Sequence, residues 1–440
     1  MRPAQPALLR HPLGRWVDPA VAFATLHGAA QNAFWLDSSA GGRFSYIGAS
    51  DSVLGGPGVF DELRAGLVAR HVPDVGGAPL GWVGWLGYEL RAQTMGVPVT
   101  RASRYPDAAL LAVDRCVSFD HESGEAQLLA LGDEWTPELA AWRDAVIAAL
   151  ESPVTIAPLA APPSTAVWRD TAAEYIEMVE ACQRSIRAGD AYQLCLTTEA
   201  SVDVRPDPFA TYLALRASSP SHHGAFLRVG GVSLLSASPE QFLSVSPGGI
   251  VESRPIKGTR PRGATPEEDE ALRDELLASD KERAENLMIV DLMRNDIGRI
   301  ARVGSVSVPS LLAVETYPHV HQLVSTVRGE LAEGLTGVDA VVATFPAGSM
   351  TGAPKHSATL ILDVLEQHAR GIYAGAFGLF SVDGTIDLAM VIRSIVIDPA
   401  GCTIGAGGGI TALSEPTEEL AEVRLKAAAL LHVLGATPIE

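Results

Sequence analysis

The chain has 440 residues, of which 47% are hydrophobic and 19% charged, with 33 basic against 52 acidic side chains for a net charge of −19. Such a composition belongs to a folded globular protein with a large core, and the acidic balance repels phosphate backbones and anionic lipid, which excludes nucleic acid and membrane surfaces as partners. An anionic small substrate would need a local basic pocket or a bound cation. The longest apolar runs, such as AGAFGLFSV from Ala374, fall far short of the ~20 residues of a membrane span. The start, MRPAQPALLRHPLG, has no secretory apolar core, so the expectation is a soluble, cytoplasmic protein. Cys116, Cys182, Cys195 and Cys402 show no CxxC spacing and read as small buried hydrophobes, with no zinc or disulfide framework.

In chain order, FWLDSS and GRFSYIGAS between Phe34 and Ser50 are strand-like, and TPELAAWRDAVIAALES from Thr136 is helical. The stretch Ser152 to Ala166 has four prolines and no charge. It reads as a linker (152–166) between an N-terminal subdomain (1–151) and a catalytic domain (167–440). DTAAEYIEMVEACQRSIRAGD has apolar residues at helical spacing with an acidic start and a basic end, a polarity that suits the helix dipole. AYQLCLTTEASVDV follows as a strand, and SPEQFLSVSPGGIVESRPIKGTR as a hairpin around PGG. The tract from Thr265 to Val303 predicts one long helical run with Thr265 as N-cap. RGIYAGAFGLF, DLAMVIRSIVI and GCTIGAGGGI form a strand-rich tail before a last helix from about Pro416. Hairpins with late helices, and no internal repeat, predict an α+β fold rather than βαβ alternation.

Six constellations could carry chemistry. Glu282 and Glu285 in KERAEN share a helix face, as do Glu419, Glu422 and Lys426 in TEELAEVRLKAA. Carboxylates from two helices converging on one cavity suit a magnesium ion bridging to an anionic ligand, and a solvated acidic face with local ion pairs is the plainer alternative. GAGGGI, Gly405 to Ile410, reads as a loop after a strand and shortly before the last helix, and offers backbone N–H groups to an anion but does not fit G-x-G-x-x-G. FPAGSMTGAPK, Phe345 to Lys355, is a turn-rich loop with hydroxyls and a lysine, and lacks the G-K-[ST] ending of a P-loop. Glu240 in Ser238-Pro239-Glu240 is a general acid or a turn residue. Lys257, in SRPIKGTRPRG, is either a mobile surface charge or an amine held against a substrate.

In this order the motifs resemble the chorismate-utilising enzymes: anthranilate, aminodeoxychorismate, isochorismate and salicylate synthases. The resemblance runs from about Tyr175 to Leu431 and rests on AYQLCLTT, SASPEQFL, RPIKGTRPRG, KERAENLMIVDLMRNDIGR, FPAGSMTGAPK, RGIYAGAFG, MVIRS and GAGGGITALSEPTEELAEVRLKAA. In the first half, WLDSSAGGRFSYIG is similar to a segment lining a tryptophan pocket in relatives, with Asp37 where glutamate is more usual. The resemblance implies a large two-subdomain β-sandwich flanked by helices. It implies that Glu285 and Glu422 ligate magnesium, supported by Glu282 and Glu419. Tyr373, Arg393, Lys426 and the backbone of Gly407 and Gly408 would hold chorismate's carboxylates, with Gln193 and Thr259 also against the substrate. Glu240 falls on the acid that protonates the departing C4 hydroxyl.

Two positions sort the reactions within the family. Members that add water at C2 carry a lysine where this chain has Gln193, which cannot act as a base. Anthranilate synthases resemble PIAGT where this chain reads PIKGT, Pro255 to Thr259, similar to the aminodeoxychorismate branch. The resemblance therefore implies that the Lys257 amine attacks C2 as the C4 hydroxyl leaves, and that ammonia then attacks C4 and expels the lysine from C2. The alternatives are anthranilate formation or a silent chorismate- or tryptophan-binding regulator. Many relatives read HLVS where this chain has Gln322-Leu323-Val324-Ser325, which leaves His321 or Gln322 to meet the substrate, or His319 and His321 to packing. Asp291, Arg294, Asn295 and Asp296 are expected in helix ion pairing. No glutaminase elbow (G-x-C-x-G) appears, which implies a separate glutamine amidotransferase subunit. A downstream aminodeoxychorismate lyase would be needed for 4-aminobenzoate and folate.

Overall fold

The computed structural model describes residues 6–38, 41–317 and 320–439. Side-chain alternation along individual strands dictates the layering. Ala33 and Trp35 pack into one hydrophobic cluster and Phe34 into another, and the pairs Phe226/Leu227 and Leu235/Leu234 divide in the same way. Strands apolar on both faces must be covered on both faces, and here a second sheet covers one and helices the other.

Among the described residues one sheet has 13 strands and the other 10. All pairings are antiparallel save Ala436–Ile439, which runs parallel to Ser164–Trp168. The first sheet runs from Ala7–Pro12 through Phe44–Ala49 and Ala33–Asp37 to His223–Val229, Val232–Ser238, Ser394–Asp398, Gly401–Ile410 and Gln193–Val202. The second runs from Ile256–Pro261 and Val320–Glu330 through Gln241–Val245, Ile386–Met390 and Ala376–Ser381 to Gly81–Leu86 and Ala108–Val113. Phe34 pairs with Leu227 in one sheet and Gly84 with Gly378 in the other, so strands from before the proline-rich seam extend both sheets. Residues 153–163 have no secondary structure, and a strand begins at Ser164, inside the stretch expected to be linker.

The inter-sheet core gathers Phe34, Trp85, Leu227, Leu234 and Phe377. Helices Ala172–Ala188 and Pro416–Val433 cover the outer face of the first sheet, and helix Asp280–Gly298 that of the second. The first of these helices opens with the Thr171/Glu174 capping box and closes on Gly189 at φ 86°. The expected hairpin is present, with Ser244 opposite Glu252 and Val245 opposite Val251.

Two expectations are corrected, the single long helical tract and the placing of GAGGGI after its strand, and one strand-rich segment is resolved in detail. The long helical tract is two helices, Pro266–Ala278 and Asp280–Gly298, because the extended Ser279 turns its hydroxyl to the Glu282 N–H and caps the second. DLAMVIRSIVI is two strands in different sheets, Ile386–Met390 and Ser394–Asp398, joined through Arg393 at φ 52°. GAGGGI lies wholly within the strand Gly401–Ile410. The four cysteines are free and buried. No described helix is long and apolar enough to cross a membrane.

Candidate active site

Two chain segments cross from one sheet to the other side by side. Ser238-Pro239-Glu240 joins Val232–Ser238 to Gln241–Val245, and Val391-Ile392-Arg393 makes the return crossing. The crossings are tied where the Ala237 N–H donates to Arg393 O at 3.1 Å and the Met390 N–H to Glu240 O at 3.1 Å. Glu240 and Arg393 are therefore corner residues, set where the inter-sheet core ends.

The glycine strand Gly401–Ile410 forms a wall of this corner. Ser394–Asp398 pairs with it only as far as Thr403, and beyond that point one edge has no strand partner among the described residues. A β-carbon on Gly405 would fall inside the Tyr373 ring. On Gly408 it would lie 3.0 Å from Glu419 Oε2. On Gly409 it would overlap the Gln193 carboxamide and sit 3.8 Å from Lys257 Nζ. Lys426 Nζ donates to Gly407 O at 2.8 Å, and Arg393 reaches the Lys426 carbonyl at 3.3 Å. Absent side chains thus let Tyr373, Gln193, Lys257, Glu419 and Lys426 approach one strand. The glycines work through close approach, as expected, but from a strand rather than a loop.

Lys257 is half-buried and projects into this corner. Its strand carries a bulge between Lys257, opposite Leu323, and Thr259, opposite Gln322. Gly258 supplies the extra residue at φ 76°, where an added β-carbon would meet Leu276 and the Glu282 carboxyl. Glu240, 8% exposed, accepts from the Ile256 N–H beside Lys257 and from Ser349 Oγ at 3.4 Å. Burial pushes its carboxyl up to about 7, against the pull of Lys257 and Lys426. A carboxylic acid still half protonated near neutrality, facing an amine, is equipped to donate a proton.

Acids from the two helices lie within one another's fields, Glu285 with Glu282 and Glu419, and Glu419 with Glu422. Burial raises Glu285, with Glu282 and Glu419 adding and Lys257 and Lys281 opposing. Burial likewise raises Glu419, which sits 3.8 Å from Lys281. Burial also works against the charge on Glu422, but Lys426 at 2.7 Å, Lys281 and Lys257 outweigh it and hold this carboxyl below its ordinary value. Glu282 lies 3.6 Å from Arg260. Among the described residues no three such side chains close into a formed metal cage. An oxygen-only donor set, strained by burial and mutual repulsion and neutralised by movable lysines, fits a hard divalent cation that keeps several waters.

Other expected residues lie elsewhere. Thr259 is exposed and registered with Gln322, on the opposite strand face from Lys257, and is not gathered with it. His321 is buried between Asp269 at 2.8 Å and Thr316 at 2.9 Å, so packing claims it; His319 lies outside the described residues. Asp291 and Arg294 pair at 3.2 Å, while Asp296 binds Arg299 and buried Lys355, whose amine also meets the Thr344 and Pro346 carbonyls at 2.7 Å. The loop lysine is a structural tie. In the first half, Asp37 is buried and taken up by Arg216 at 2.6 Å and Tyr212 at 3.2 Å. Sequence reasoning missed Lys281, although it adjoins Glu282, and Ser349, noted only as one hydroxyl of a loop.

Comparison with known proteins follows this geometry. The sequence profile of the family described as chorismate binding enzyme matches residues 31–432. An aminodeoxychorismate synthase of Streptomyces pristinaespiralis is 43% identical over 459 residues, covering 95% of this chain and 64% of that protein. The chain thus spans less than two thirds of that relative's length. An anthranilate synthase component 1 of Streptomyces coelicolor is 39% identical over 444 residues, covering 94% of this chain and 86% of the relative. The crystal structure of anthranilate synthase component I from Streptococcus pneumoniae superposes with a TM-score of 0.76 at 30% identity, covering 98% of this chain and 93% of that one. A sandwich with its acids, lysines and glycine strand at one corner, matched along nearly its whole length, places this chain in the chorismate binding enzyme family.

Proposed function

We propose that the chain aminates chorismate at C4, giving 4-amino-4-deoxychorismate from chorismate and ammonia, as an aminodeoxychorismate synthase component I. The observation that carries this reading is the Lys257 amine at the glycine strand, within the field of the buried acid Glu240. Chorismate is a dianion, and Arg393, Lys426 and Tyr373 line the same corner to meet its carboxylates. Glu285 and Glu422, with Glu282 and Glu419 behind them, would hold magnesium, which when bound would supply positive charge against a dianionic substrate.

The lone pair of the Lys257 amine adds to C2, both conjugated ring double bonds shift (C1=C2 to C1=C6, C5=C6 to C4=C5), and the C4 hydroxyl leaves as water with the proton of Glu240. Ammonia then adds to C4, both double bonds shift back, the C2–N bond breaks to return the Lys257 amine, and the proton shed by the new ammonium restores Glu240. The new amino group stands para to the ring carboxylate. Gln193, buried beside Lys257, has no basic nitrogen with which to activate water. A separate glutamine amidotransferase subunit would supply ammonia, and a lyase would release 4-aminobenzoate for folate synthesis. The setting is cytoplasmic.

The test is product analysis with chorismate, ammonium and magnesium, followed by lyase treatment. The wild type should yield the para isomer, and Lys257→Ala should lose at least 100-fold, the scale expected for deleting a nucleophile. Anthranilate as product, or undiminished 4-amino-4-deoxychorismate from Lys257→Ala, overturns the reading.

A further inference from the structure

We propose that Ser349 is a positioning residue for the proton donor of this site: its hydroxyl donates to Glu240 Oε1 at 3.4 Å and holds the carboxyl in the direction of the departing group. This rests on the reading of Glu240 given above. The second potential acceptor of Ser349 is Met390 Sδ at 3.3 Å. A thioether accepts weakly, so the single hydroxyl proton goes to the carboxyl.

The presenting loop is anchored at nearly every residue, which makes Ser349 a fixed donor rather than a chance contact. Lys355 Nζ clamps the Thr344 and Pro346 carbonyls at 2.7 Å each and pairs with Asp296 on the helix that carries Glu282 and Glu285. Thr351 Oγ1 returns to the Ala347 and Gly348 carbonyls at 3.2 Å. Arg370 takes the Met350 carbonyl at 2.6 Å, and the Cys195 N–H takes that of Thr351 at 2.9 Å. The side chain of Ser349 is directed at the Glu240 carboxyl. The same loop thereby couples the acid to the metal-side helix through Asp296.

The charged groups facing Glu240 are Lys257 on the neighbouring strand and Lys426 on the last helix. Both favour the carboxylate, as do the Ile256 N–H and the Ser349 hydroxyl, and all oppose burial. Removing the hydroxyl therefore leaves the acid holding its proton more tightly and free to rotate.

Two readouts separate this role from simple packing. The titration of Glu240 is obtained, without any substrate, from the pH dependence of urea unfolding referenced to Glu240→Gln. Ser349→Ala should raise that midpoint by about half to one pH unit, the effect of losing one long charge-assisted hydrogen bond, and Ser349→Thr should restore it. In chorismate turnover, Ser349→Ala should lower kcat about 3- to 10-fold with KM within twofold, and the limb lost at high pH should move up by the same interval. Ser349→Cys, which keeps volume but donates weakly, replaces the alanine variant if that does not fold. An unmoved Glu240 titration overturns the proposal, whatever happens to the rate. A moved titration in an enzyme that makes no para product leaves this inference standing and removes the functional reading instead.

Discussion

Glu240→Gln removes one charge from the corner of the sandwich without changing its volume. In the wild type, burial lifts the carboxyl from 4.5 to about 7. Between those values the folded chain keeps a proton that the unfolded chain has released. Wild-type stability therefore falls as pH rises through this window and levels off above it. Each pH unit is worth about 1.4 kcal/mol, so the whole window is worth about 3 kcal/mol. Glutamine carries no such proton. The stability of Glu240→Gln relative to the wild type should improve by about 3 kcal/mol between pH 5 and pH 8. Urea unfolding of both proteins at unit pH steps measures this directly. Buried Glu89, also raised to about 7 by burial, cancels because it is present in both. Curves parallel to within about 0.5 kcal/mol, a resolution set by the extrapolation, would refute the burial argument. A wild type that gains stability with pH would mean that Lys257 and Lys426 already hold the carboxylate charged. At pH 7 the same variant should lose turnover by ~10²- to 10⁴-fold, the usual share of a general acid.

Two other substitutions probe how the site and the first half are held. Gly258→Ala puts a β-carbon 2.7 Å from Leu276 Cδ1 and 2.9 Å from Glu282 Cδ at φ 76°. It should cost about 1–2 kcal/mol of stability and cut chorismate turnover more than tenfold by displacing Lys257 and Glu282 together; near-normal turnover would show that the bulge does not position them. Arg216→Ala leaves buried Asp37 without its 2.6 Å partner. Its loss should cost about 3 kcal/mol, read by urea unfolding, and Asp37→Asn in the same chain should recover part of it. No recovery would mean that Arg216 acts through its packing on Trp35 instead.

Local spacing made the acids legible: Glu282 and Glu285, and Glu419, Glu422 and Lys426, recur at helical intervals, and helices preserve such intervals in space. One cap was equally readable, since Thr265 precedes acids at the right distance. What escaped was non-local. Ser279 sits inside an unbroken helical period, and only its own hydroxyl bond reveals the break. The change of sheet between Met390 and Ser394 happens through backbone angles at Arg393, which leave no mark in composition. Ser349 and Glu240 meet across 109 positions. That strands of the first half would add to both sheets of the second depends on partners hundreds of residues apart, and no propensity encodes such pairing.

The bare stretch of Gly401–Ile410 acts as a ruler. From Gly405 under the Tyr373 ring to Gly409 beside Lys257 is four peptide repeats, roughly 13 Å at 3.3 Å per residue. That span comes from covalent geometry and not from how side chains happen to nest, so thermal loosening of the surrounding core should barely alter it. A flat carboxylated ring can lie along peptide planes with nothing protruding between them, and a drift in sequence that adds even one methyl there shortens the usable bench at once.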